Sequence, residues 1–170
     1  GISKSTVGGI LRKNGIRLDK RPARRAEGKV GGFCRQNQCA VETDFSNLFM
    51  DHGLEFIHQG RVGTRNLDFV FPACRVAVEI VRRHWRDAKS LRRERLEEIF
   101  SHGWRLLIIY DPAKSGIDIV ACAKQLVACL DFARRNPSAP GQYWVIERDG
   151  QFAPAARVQL YDFAAIEEPI

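Results

Sequence analysis

The run Trp104–Tyr110, WRLLIIY, limits the possible folds more than any other stretch of the chain. It is apolar without alternation, which predicts a strand covered on both faces and therefore a layer of structure above and below it. Just before it, Leu91 to His102 reads as a helix with Leu96, Ile99 and Phe100 inward and Gly103 as the stop. Arg75–Val81 reads as a strand ahead of that helix, and strand, helix, strand in this order implies a parallel βαβ crossover. The expectation is an α/β fold with a mixed central sheet flanked by helices.

Upstream, Ala40 to His52 carries Val41, Phe45, Leu48 and Phe49 on one helical stripe and ends at Gly53. At about 100° per residue Glu42 falls beside Phe49, at the edge of that stripe. Leu54–His58 and Asn66–Phe71 are strand candidates rich in Phe, Val and Ile, and a turn after Pro72 folds the second onto Arg75–Val81. If Pro72 pairs with Arg75, Asp68 stands opposite Glu79. Alternation then gives both acids one face and sends Leu67, Phe69, Phe71, Val76, Val78 and Ile80 to the other. Opposed like charges destabilise a sheet, and a divalent cation with oxygen ligands is their natural companion. Two solvated acids on an exposed face are the plainer alternative. Ile117 to Arg135 gives a further helix with Ile119, Ala123, Leu126, Leu130 and Ala133 on one stripe; Tyr143–Glu147 would close the sheet, and the tail is poorly patterned.

Charge divides the 170 residues in two. The chain carries 27 Lys and Arg against 20 Asp and Glu, a net of +7, and residues 1–39 hold the excess, because the rest is close to neutral. Such a basic arm serves polyanions, nucleic acid first and anionic membrane second. No apolar run approaches the ~18 residues of a membrane span, and no charged-then-apolar leader opens the chain, so neither a membrane protein nor a secreted one is expected. Five Cys, at positions 34, 39, 74, 122 and 129, are odd in number and scattered, which suits a reducing compartment. The start at Gly1, with no initiator Met, suggests a piece of a longer chain.

Within the arm, Ser3 to Asn14 reads as a short helix with Ser3 as N-cap, Val7, Ile10 and Leu11 on one face and Gly15 as the stop. The string GISKSTVGGILRKNGI resembles the recognition half of the helix-turn-helix of recombinases and transposases. That likeness implies that Ser3, Lys4, Ser5 and Thr6, with Arg12 and Lys13 behind them, face phosphates and bases. An ordinary capped helix is the alternative, since the preceding helix is missing. Residues 17–39, with Arg24 and Arg25, read as a basic linker able to track a phosphate backbone. The expected organisation is a partial helix-turn-helix in 1–16, this linker, and a folded domain in 40–170.

Cys34, Cys39, His52 and His58 fit the spacing C-x4-C-x12-H-x5-H of a two-Cys, two-His zinc finger. A finger needs both His on one helix, however, and Gly53 stops a helix directly after His52. Thr43 also stands where the core Phe of a finger would be. Zinc is therefore not expected.

The order Glu42 on a helix, Asp68 in LDFVFP, Glu79 in AVEIV, then His84 and Asp87 ahead of a basic helix and GWRLLIIYD, resembles the PD-(D/E)XK nuclease superfamily. Within it, the likeness is to very-short-patch-repair-like nucleases and the EDxHD homing endonucleases, and it spans residues 40–111. The resemblance implies a restriction-endonuclease-like core and Mg²⁺- or Mn²⁺-assisted hydrolysis of phosphodiesters in double-stranded DNA, by a site-specific enzyme of the homing type. Asp68 would be the principal metal ligand, with Glu79 or the backbone carbonyl of Ile80 nearby. Glu42 would position a water on the metal; His84 would activate the attacking water or stabilise the leaving group, and Asp87 would orient His84 or hold water. Arg82, Arg83, Arg86, Lys89, Arg92, Arg93 and Arg95 form a strip suited to gripping phosphates near the cut. One site per chain implies a homodimer or sequential nicking. The setting implied is the cytoplasm of a bacterial or phage-infected cell, at the nucleoid.

Two departures matter. The lysine usual in E-x-K is Val81, and the zinc-binding cysteines of the mismatch-repair members have no counterparts around His84. A restriction or transposon nuclease on the same core, or a catalytically degenerate DNA-binding regulator, is the alternative reading.

Overall fold

A computed structural model describes residues 40–84, 86, 88–137, 141–154 and 159–166. The expected arm helix with Ser3, Lys4, Ser5, Thr6, Arg12 and Lys13, the linker with Arg24 and Arg25, Cys34, Cys39 and Asp87 lie outside the described residues.

Helix α1, Ala40–Asp51, is held to the sheet by Phe45 and Phe49, one turn apart and both buried. It stops at Gly53, whose φ of +66° is the left-handed conformation that glycine adopts without strain. Strands β1, Ile57–Val62, and β2, Arg65–Phe71, form an antiparallel hairpin through Gly63 and Thr64. The first strand thus begins later than Leu54, because Leu54 and Phe56 fill the core beside α1 before the ladder starts. Strand β3, Val76–Val81, pairs antiparallel with β2 in the expected register, Phe69 with Val78 and Phe71 with Val76.

From β3 the chain passes through a 3₁₀ turn, Lys89–Leu91, into α2, Arg93–Ser101, and returns as β4, Arg105–Tyr110, parallel to β3. The helix begins two residues after the expected Leu91 because Arg92 is extended, with ψ 146°. All six β4 residues are buried, as their pattern required. Helix α3, Ile119–Arg135, is capped by Asp118, whose carboxylate accepts the Val120 and Ala121 N–H groups. Strand β5, Gln142–Glu147, lies parallel to β4, and the two-residue β6, Ala164–Ala165, lies parallel to β5.

The sheet runs β1 to β6 in chain order. One face packs against α1 and α3 through Phe45, Phe49, Leu126 and Leu130, the other against the 3₁₀ turn through Leu91 and α2 through Leu96, Ile99 and Phe100. Because β3, β4 and β5 step one way while α2 and α3 cover opposite faces, the two crossovers have opposite hands, and one departs from the right-handed rule. The weakly patterned tail also joins the core: Leu160 is fully buried and its N–H donates to the Tyr143 hydroxyl at 3.1 Å. No helix among the described residues is long and apolar enough to cross a membrane.

Candidate active site

Alternation fails once in the β1–β2 hairpin, and the site forms there. His58 pairs with Phe69 and Gly60 with Leu67, so the register is unbroken. Yet the His58 ring lies 5.1 Å from that of Phe69, in the α1–α3 core, whereas Leu67 and Val62 belong to the α2 core. Gly60 lies so close to Val70 of the α2 core that a Cβ there would sit 2.2 Å from its Cγ2. Both strands therefore turn over by one residue at the rung of Gln59 and Asp68, and Gln59 adopts φ +51° to do so. This corrects the expected face: Phe69, Phe71, Val76, Val78 and Ile80 share one core, but Leu67 packs in the other.

At this rung the Asp68 side chain bonds to a strand backbone. Its Oδ2 accepts the Ile80 N–H at 2.7 Å, and its Oδ1 accepts from Gln59 Nε2 at 3.3 Å. The same Gln59 nitrogen donates to Glu42 Oε2 at 2.9 Å, and His58 Nε2 lies 2.9 Å from that oxygen. Glu42, in the first turn of α1, is only 9 % exposed, consistent with its place at the edge of the buried stripe. Burial pushes the Asp68 carboxyl up to about 6. The nearby Glu42 charge pushes the same way, against the Ile80 N–H, Gln59 and His58, which favour the anion.

Glu79 is also buried, but its carboxylate is engaged from the other layer, where Arg95 Nη2 of α2 lies 3.3 Å away. The β2–β3 ladder ends at the Phe69–Val78 pair, one step short of the expected Asp68–Glu79 rung. Asp68 connects through Gln59 to α1 and Glu79 connects to α2, because the β1–β2 hairpin turns over at Asp68.

Past β3, Arg82 lies 3.7 Å from Asp111, a fully buried carboxylate at the end of β4 that also accepts the N–H groups of Ser115 and Gly116. Arg82 is thereby tied into the fold more than a free phosphate ligand would be. His84 is exposed, with Nδ1 3.4 Å from the Arg86 N–H; the imidazole in contact with Glu42 is that of His58. Arg83, Arg86, Lys89, Arg92 and Arg93 are all exposed, and Arg93 pairs with Glu97 and Asp162 and lies over the Tyr161 ring.

No family model, curated protein or solved structure matches the chain. The chemistry of the site therefore rests on its own geometry.

Two carboxylates converging on one amide nitrogen are hard oxygen donors of the kind Mg²⁺ and Mn²⁺ take. Mg²⁺ in particular is held by one or two carboxylates while keeping several waters. Among the described residues no group of three or more His, Cys, Asp and Glu gathers as a metal centre, so the remaining positions around an ion would fall to water or backbone carbonyls. A finger-like zinc arrangement is not formed by the two His, since His52 follows α1 and His58 lies in β1. Cys74, Cys122 and Cys129 are buried free thiols, and burial pushes Cys122 up to about 12 and raises the other two. Thiols so protonated are poor nucleophiles and poor ligands.

The sequence marks His58 only by its zinc-finger spacing and as the end of a strand candidate, and it marks Gln59 by no motif. The available signal was a polar His-Gln pair followed by Gly60, inside a stretch where Ile57 and Val62 differ in parity.

Proposed function

We propose that the chain is a divalent-metal-dependent DNA endonuclease, site-specific and of the homing type. The observation that carries this reading is the meeting of Glu42 and Asp68 on Gln59 of β1, with Asp68 on β2, the strand that pairs with β3, whose end leads into the exposed cations Arg83, Arg86, Lys89, Arg92 and Arg93. Acids that bind metal and cations that bind phosphate are the two requirements for metal-assisted phosphodiester hydrolysis.

A bound Mg²⁺ or Mn²⁺ would offset charge developing on the phosphate and make water acidic enough to attack near neutral pH. Asp68, with the Ile80 carbonyl, would hold the ion, and Glu42 would orient the attacking water. His58, whose Nε2 lies 2.9 Å from Glu42, would accept the proton of that water at its other ring nitrogen; in the family resemblance His84 activates the water or stabilises the leaving group, and Asp87 orients His84 or holds water. Glu79 would act from the opposite side of the rung. The strip would grip the strand being cut, while Ser3, Lys4, Ser5, Thr6, Arg12 and Lys13 of the arm would select the site and Arg24 and Arg25 of the linker would track the phosphate backbone. Double-strand cleavage would need two copies of the chain or two successive nicks.

A second reading, a DNA-binding regulator with a degenerate nuclease core, is favoured by Val81 at the usual lysine position. Nicking of supercoiled plasmid with Mg²⁺ separates the two. Wild type should nick, Asp68→Ala should not, and comparing His58→Ala with His84→Ala identifies the working imidazole. Cleavage that survives in Asp68→Ala excludes the proposed site. DNA binding without cleavage by wild type establishes the regulator.

A further inference from the structure

The amide of Gln59 stands in an unusual place. Its Nε2 lies 2.9 Å from Glu42 Oε2 and 3.3 Å from Asp68 Oδ1, so one NH₂ group, with a hydrogen for each, bridges two carboxylates. These are the oxygens a cation would use. The bridge also has a backbone cost, because Gln59 sits at φ +51°, where Gly, Asn and Asp are far better tolerated than Gln. Such a conformation persists only where the surroundings hold it. Here the surroundings include two acids that a shorter side chain would not span.

We propose that Gln59 is a displaceable cap on the cation site: its amide holds the place between Glu42 and Asp68 that a divalent cation takes, and the cation enters as the amide leaves. The inference rests on the metal-nuclease reading and adds regulation to it. A neutral donor lessens the repulsion between the acids without adding charge, so the empty site is kept assembled. Binding an ion must then break two hydrogen bonds to charged groups, which are stronger than neutral ones, and intrinsic affinity for the ion is reduced accordingly. Substrate phosphate, by adding ligands, would tip the exchange toward the ion.

Mn²⁺ binding by the full chain, measured by titration calorimetry without DNA, tests this. Gln59→Gly removes the amide and relaxes the backbone; Gln59→Asn, which accepts the same φ and is one methylene shorter, is the second variant should the first fail to fold. Both should bind Mn²⁺ about tenfold tighter than wild type, a difference of about 1.4 kcal/mol, and both should gain more in thermal midpoint on adding Mn²⁺. Asp68→Ala should not bind. If the Gln59 variants bind no tighter than wild type while Asp68→Ala abolishes binding, the amide is no competitor and the cap is disproved with the nuclease reading intact. If wild type and the Gln59 variants show no Mn²⁺ binding that Asp68→Ala removes, the metal site and the cap fall together.

Discussion

Arg95 Nη2 lies 3.3 Å from Glu79 Oε2, both side chains largely buried, and the same nitrogen also donates to the Asn66 carbonyl. One guanidinium therefore ties α2 to two strands and engages an acid otherwise available to the cluster around Asp68. Arg95→Leu strands a buried carboxylate and should cost about 2–4 kcal/mol of stability. Glu79→Gln in the same background should restore part of it. A double-mutant cycle in urea giving a coupling below about 0.5 kcal/mol would show that the pair does not hold the layers together.

Asp68 makes stability depend on pH in an unusual direction. Its carboxyl is raised from 3.8 to about 6 by burial and by Glu42, so the native state binds this proton more tightly than the unfolded state does. Stability from this source is present below pH 4 and is lost as pH rises through about 6, on the order of 3 kcal/mol across the window. Asp68→Asn should therefore gain on wild type between pH 4 and 7 while losing Mg²⁺-dependent nicking. Parallel stability profiles for the two proteins over that range would count against a raised Asp68.

Glu98 on α2 clamps the β1–β2 turn from the opposite charge state. Its Oε1 accepts both the hydroxyl and the N–H of Thr64 at 2.6 Å, its Oε2 accepts from Arg65 Nε at 2.5 Å, and these bonds lower its carboxyl from 4.5 to about 2. The stabilisation is full above the unfolded value and fades as pH falls toward 2. Glu98→Gln should speed hydrogen exchange at Thr64 near neutral pH. Unchanged protection would mean that the turn closes without the clamp.

The exposed strip predicts a salt effect rather than a specificity effect. Lys89→Glu and Arg92→Glu should each weaken DNA binding on all sequences alike and lower the magnitude of the slope of log affinity against log salt by about 1. Fluorescence anisotropy across a salt series measures it. A slope that stays at the wild-type value would remove these residues from the interface.

The same particulars show how far the sequence could be read. The βαβ unit and the β2–β3 register were legible because six apolar residues in β4 and a Pro72 turn leave few alternatives. Glu42 was legible because a helical stripe has an edge. Leu67 was misplaced, and His58 and Gln59 overlooked as a pair, because alternation assumes a ribbon that keeps its faces, and the turnover at Gln59 depends on a backbone angle that side-chain patterns do not encode. Leu160 was missed because a single apolar residue in an irregular tail has no period to reveal it.

The kink at Gln59 also bears on how molecules meet in solution. Among the described residues strand β1 is the outermost of the sheet, and its pairing with β2 skips Gln59, leaving Ile57–His58 on one side and Gly60–Val62, with the exposed charge of Arg61, on the other. An incoming strand is offered two short, misaligned segments instead of one long edge, which is how sheet proteins guard against edge-to-edge aggregation. The residue that bridges the acids thus also shortens, among the described residues, the continuous edge that β1 offers for pairing.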